Sequence, residues 1–345
     1  DAICSPADLA AFEEHLFPSA RKLGTFNGRL FAVFNGLDIR ALYYNRTALE
    51  QHGLEPPATL EDLNRIAKTI SPPCKNERKS FGYLPDSRRL WAWGQVFGGR
   101  FFDFDEHTVL VDQPPVVEAT KWMARFAEWY GPDTINRFRQ GDQSLPGKTF
   151  PLLPVNDEEM VGRYVVLMDG QWRVRDIDAF VSRRKARGIV CPEFGVCPLP
   201  PPTGGREDAG WVNGNFFVVP KGAKNTAGAV AFMKFWIGMV DPEQAASTCA
   251  DGGWIPVSEK VAATRTFREF LKHQPLFADF VRLAGSENQV PVPVIPGAPM
   301  FKREVEKAAA SAMSDPQQSI EELLTKTATL IQRRLDNISG AAANQ

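Results

Sequence analysis

The sequence predicts an α/β protein of about two domains. The chain has 345 residues, against roughly 150 for an average domain. Short apolar runs alternate with stretches whose apolar residues recur at helical spacing. Turn-forming Pro and Gly residues punctuate the two kinds of segment.

Taken in order, residues 29–34 read as a strand after a Phe26-Asn27-Gly28 turn, and 40–44 as a second strand ending at Asn45. Thr59 is an expected N-cap with Asp62 three residues on. Leu63, Ile66, Ala67 and Ile70 then follow at helical spacing, and Ser71-Pro72-Pro73 stops the helix. Residues 101–111 predict a hairpin around Asp105-Glu106. Pro114 or Pro115 starts a helix with Val116, Thr120, Met123, Ala127 and Tyr130 on one face, ended by Gly131-Pro132. Residues 164–168 predict a buried strand running into Asp169-Gly170-Gln171-Trp172, and 194–198 and 215–219 predict two more, separated by the loop at 200–205. A helix is expected over 226–240 and another from Pro242. After the proline-rich loop carrying Pro291, Pro293, Pro296 and Pro299, two helices near 301–313 and 317–337 close the chain, with a fraying tail at 339–345.

Composition narrows the function. With 43% hydrophobic and 23% charged residues the chain is ordinarily globular, and 40 basic against 41 acidic residues argue against a nucleic-acid partner. The basic cluster at 183–187 reads as a solvated helix end. No apolar window is long enough for a membrane helix, and no signal peptide is visible; the start at Asp1 suggests a processed or trimmed chain. Five cysteines show no metal-type pairing, so no metal or cofactor is expected; Cys191 and Cys197 are either a local disulfide or free thiols.

Catalytic signatures fail on inspection. The segment 141–149 imitates a phosphate loop but has five residues between its glycines instead of four, and Pro146 removes a backbone donor. Asp103-Phe104-Asp105 lacks the later ligands of a calcium loop. The four histidines are scattered, and Glu158-Glu159 point apart on an extended segment. Tryptophan stands out instead: of eight, Trp91, Trp172, Trp211 and Trp254 lie beside glycine or polar turn residues. Aromatic faces at loop ends suit a ligand whose C–H faces stack while its hydroxyls meet polar groups, and sugars fit that description. Trp122, Trp129 and Trp236 fall within helices and read as core.

The order of motifs is more specific. Residues 26–34, then Ile39-Arg40-Ala41-Leu42-Tyr43-Tyr44-Asn45-Arg46, then Gly53-Leu54-Glu55-Pro56-Pro57-Ala58-Thr59 resemble the extracellular solute-binding proteins of ABC importers, in the maltose-binding-like sugar group. The likeness continues through Gly98-Gly99-Arg100-Phe101-Phe102-Asp103, Met168-Asp169-Gly170-Gln171-Trp172, Val219-Pro220-Lys221-Gly222 and Gly252-Gly253-Trp254-Ile255-Pro256-Val257. The resemblance implies a two-lobe periplasmic-binding-protein fold (type II), with a hinge and a ligand in the interlobe cleft. Residues 1–38 plus 214–270 would form the first lobe, and 39–213 plus 271–345 the second. Crossings are expected near Asp38 and Arg40, near Asn213 and Gly214, and before residues 267–275. The resemblance also implies a further βαβ stretch ahead of Asp1 in the first lobe.

The expected function is a non-catalytic, monomeric receptor that binds a carbohydrate and delivers it to the permease subunits of an ABC importer. It would be periplasmic or extracellular, with or without a lipid anchor in the precursor. Trp172 and Trp211 would stack on the sugar, joined by Trp91 or Trp254, while Asp38, Arg40 and Asn213 would hydrogen-bond its hydroxyls, unless Arg40 only pairs with Asp38. Two rivals remain: the same fold holding a glycerol-phosphate-type polyol, with Arg173 supplying charge, and a glycan-active hydrolase.

Overall fold

A computed structural model describes residues 4–145 and 149–343. Nine strands are described: β1 Thr25–Phe26, β2 Arg29–Leu30, β3 Val33–Asn45, β4 Phe102–Asp103, β5 Thr108–Val109, β6 Val166–Gly170, β7 Phe194–Cys197, β8 Gly210–Phe217 and β9 Gln289–Val290. The chain divides into two compact units. The first comprises Asp1–Ala41, Gly170–Arg175 and Asp208–Val294, the second Leu42–Asp169, Asp176–Glu207 and Ile295–Gln345. Against the sequence-based division, residues 39–41, 170–175, 208–213 and 271–294 fall with the first unit.

In the first unit, Ser5 and Asp8 form a reciprocal capping box that starts the helix Pro6–His15. The β1–β2 hairpin turns on Asn27 (φ 47°) and Gly28 (φ 69°), the two positive φ angles a tight hairpin turn requires. The first half of β3 then pairs antiparallel with β8, from Val33 opposite Phe217 to Ile39 opposite Val212. The sequence predicts two separate strands here, 29–34 and 40–44, with residues 35–39 between them. The structure has one strand of 13 residues, with only a register shift between Phe34 and Gly36. β8 starts at Gly210, earlier than expected, so Trp211 and Asn213 stand on the strand itself. Its other neighbour is β9, paired in parallel. Helix Pro18–Gly24 packs on β8 and β9, Thr226–Trp236 meets β8 through Phe217, and Pro242–Gly252 packs on Arg265–His273, with Phe12, Phe267, Phe277 and Phe280 almost wholly buried. Asp241 caps the helix at Pro242, and Gly253 (φ 65°) ends it in the left-handed conformation.

In the second unit, the remainder of β3 pairs antiparallel with β7, Leu42 opposite Cys197 through Asn45 opposite Phe194. The helix Leu60–Ile70 begins on the expected cap: Thr59 Oγ1 accepts from the Asp62 amide (3.1 Å) and the Asp62 carboxylate accepts from the Thr59 amide (2.9 Å). The β4–β5 hairpin turns on Asp103, whose carboxylate accepts from the Asp105 (3.0 Å) and Glu106 (3.1 Å) amides. Helix Pro114–Tyr130 ends at Gly131 (φ 78°), and Pro132 starts a further helix, Pro132–Gln143, instead of only ending the first. Tyr83, Trp93, Trp122 and Phe126 form the centre of this unit's core. The final helix, Ile320–Ala343, continues through residues expected to fray.

The basic cluster is not uniformly solvated. Arg183, Lys185 and Arg187 face outward, but Arg184 is only 3% exposed. Its guanidinium donates to the carbonyls of Asn156, Asp157, Glu159 and Val190 at 2.7–2.9 Å, which pins an irregular loop. No disulfide joins Cys191 to Cys197.

Candidate functional site

The pleat of β3 and β8 decides which side chains share a surface. Asp38 and Asn213 are directly opposite in the antiparallel register. Side chains alternate along each strand, so Arg40, two residues past Asp38, and Trp211, two before Asn213, project from that same face. Asp38 is half-buried and Asn213 exposed, whereas Arg40 (7% exposed) and Trp211 are buried.

Residues 170–172 join this face in the first unit. Gln171, 3% exposed, holds them there. Its Nε2 donates to the Leu37 carbonyl (3.0 Å) and to Asp38 Oδ1 (3.1 Å), and its Oε1 accepts from the Ile39 amide (3.3 Å). One glutamine therefore mimics a short strand edge against β3 and orients the Asp38 carboxylate. Gly170 supplies space: a Cβ there would meet the Trp172 ring at 2.2 Å, so the indole lies against bare backbone. The Trp172 ring is partly exposed, at 37%.

Between the two indoles lies Arg40. Its guanidinium carbon is 4.5 Å from the Trp172 ring centre and 5.0 Å from that of Trp211. At such distances the cation is attracted by both ring quadrupoles, worth ~0.5–1 kcal/mol each when exposed and up to ~2 when desolvated.

The structure thus brings Asp38, Arg40, Trp172, Trp211 and Asn213 onto one sheet face of the first unit. Trp254 is in that unit too, but packs beside Gly36 and against Trp236 (5.7 Å). Trp91 is elsewhere: in the second unit, on the helix Leu90–Val96, 2% exposed and covered by Phe101 (4.4 Å) and Phe301 (5.7 Å). That burial makes Trp91 a core residue. Its seven-residue helix is buried all round, so no amphipathic stripe marked it as interior. Gln171, which bonds Asp38, was not among the expected candidates; its signal in the sequence was its place in the Asp-Gly-Gln-Trp run after a strand.

Among the described residues no group of three His, Cys, Asp or Glu side chains could hold a metal ion, and no helix is long and apolar enough to cross a membrane. Residues 146–148 of the imitation phosphate loop lie outside the described residues.

Comparison with known proteins gives a consistent picture. The family described as "Bacterial extracellular solute-binding protein" matches residues 7–275. No curated protein sequence matches the chain. Among solved structures, the sugar-binding protein MalE of the phytopathogen Xanthomonas citri is similar at a TM-score of 0.71 and 16% identity, covering 100% of this chain and 79% of its own. The cyclic alpha-maltosyl-1,6-maltose binding protein of Arthrobacter globiformis gives 0.68 at 18% identity, over 97% and 79%. The GacH receptor of Streptomyces glaucescens, solved unliganded and with acarbose, gives 0.67 at 20% identity, over 94% and 76%. The two-domain α/β fold of these proteins is the fold of this chain.

Proposed function

This chain belongs to the bacterial extracellular solute-binding proteins, and from that premise we propose that it is a non-catalytic, monomeric receptor that binds a carbohydrate and hands it to the permease of an ABC importer. The observation that carries the carbohydrate reading is the partly exposed Trp172 ring on the same sheet face as Asp38 and Asn213. A stacking surface beside a carboxylate and an amide matches the two aspects of a sugar, its C–H face and its hydroxyls. The structurally similar proteins that bind maltosyl sugars and acarbose support the same class of solute. Trp172 is the stacking residue in this reading, Asp38 and Asn213 are hydroxyl partners, and Trp211 backs the platform. Trp254 lies further along β3, at Gly36, where an extended ligand would reach it.

The test is a thermal-shift panel of mono-, di- and oligosaccharides with glycerol phosphates as the contrasting class. A ligand at ~100 times its dissociation constant adds about 2.7 kcal/mol of stability, which such a scan resolves. Stabilisation by one sugar class supports the reading. Stabilisation by a glycerol phosphate alone, or cleavage of an oligosaccharide on incubation, overturns it.

A further inference from the structure

We propose that Arg40 is a positioning residue for the Trp172 platform, acting on the solute through the indole instead of binding it directly. The inference deepens the proposed function, since it rests on Trp172 being the stacking face. Arg40 is 7% exposed, and its guanidinium lies 4.5 Å and 5.0 Å from the ring centres of Trp172 and Trp211. A planar cation can rest against two ring faces at once, which a compact ammonium cannot. Trp211 is itself fixed on β8, whose neighbour β9 is paired at that very residue, Trp211 opposite Val290. Arg40 therefore ties the partly exposed Trp172 ring to a buried ring on the sheet. Gly170 bounds the Trp172 ring on its own backbone, and Gln171 anchors the intervening backbone to β3. An indole held in this way enters binding with little orientational freedom left to lose, which is the gain preorganisation brings.

The experiment measures acrylamide quenching and the emission maximum of tryptophan in wild type, Arg40→Met and Arg40→Lys. Each is compared with the same protein carrying Trp172→Phe, so that the difference isolates Trp172. The expected result is a larger quenching constant and a red shift of the Trp172 component in Arg40→Met, with Arg40→Lys between Met and wild type. An unchanged Trp172 component in both variants overturns the proposal. Circular dichroism reports whether Arg40→Met is folded; if it is not, Arg40→Lys alone decides, a rise supporting the proposal and no rise overturning it. Acrylamide is the only probe and no solute is added. Failure here therefore leaves the sugar reading standing, whereas a Trp172 variant with undiminished sugar affinity removes the sugar role without touching the Arg40 geometry.

Discussion

Asp38 and Asn213 face each other across the β3–β8 pair, and that single register assignment places four candidate residues, Asp38, Arg40, Trp211 and Asn213, on one surface. A slip of one residue would turn Arg40 and Asp38 to the opposite face of the sheet. Gln171 works against such a slip, because its amide bonds to Leu37, Asp38 and Ile39 together.

Gln171→Ala should therefore damage both stability and site. It leaves the buried Ile39 amide and Leu37 carbonyl without these partners, at a cost of about 1–3 kcal/mol. Urea unfolding reads the loss, and Gln171→Glu should not restore it, since a carboxylate cannot donate to the Leu37 carbonyl.

Gly170→Ala should displace the Trp172 indole, because the new methyl would sit 2.2 Å from the ring. The expected signature is an altered near-ultraviolet dichroism and emission spectrum with an unchanged far-ultraviolet spectrum. Identical tryptophan spectra would mean that the ring is not seated there.

Arg184→Ala should destabilise the second unit by on the order of 3 kcal/mol, since four carbonyls lose a buried, charged donor. Arg184→Lys should rescue little of this, because one ammonium cannot span the same fork of acceptors. Denaturant unfolding of the two variants checks both statements.

His15 gives the first unit a pH dependence. Its Nε2–H donates to the Ile237 carbonyl at 2.7 Å, and the ring is buried. Burial pushes its pKa below the ordinary 6.5, the hydrogen bond to Ile237 opposes that shift, and Lys260 adds to it while Glu14 works against it. The unfolded chain therefore takes up the proton first as pH falls. His15 contributes its full stability above pH 6.5 and loses it progressively below that, down to the lowered folded value. Unfolding midpoints from about pH 7.5 to about pH 5 should fall, and His15→Gln should flatten the part of the slope due to this residue.

Much of the fold was legible where a side chain caps or turns its own backbone. Thr59 with Asp62, the Asn27-Gly28 turn and the turn after Asp103 are local chemistry, and each appears where the residues placed it. What was illegible depends on partners distant in sequence. Residues 35–39 read as a gap between two strands, yet they belong to β3, and at Gly36 the Trp254 side chain packs down on it, 3.1 Å from where a Cβ would be. Arg184 is indistinguishable from its basic neighbours until the loop at 156–160 closes over it. Trp91 and Trp172 both sit beside polar or glycine-rich turns, and only tertiary packing makes one a core ring and leaves the other partly exposed.

The most direct measurement is calorimetric titration of wild type and Trp172→Ala with the sugar that gives the largest thermal shift. The proposed platform predicts that the variant loses on the order of 1–3 kcal/mol of binding, roughly five- to 150-fold. Unchanged affinity in a variant of lowered melting temperature would contradict it, making Trp172 a packing residue and placing the solute elsewhere.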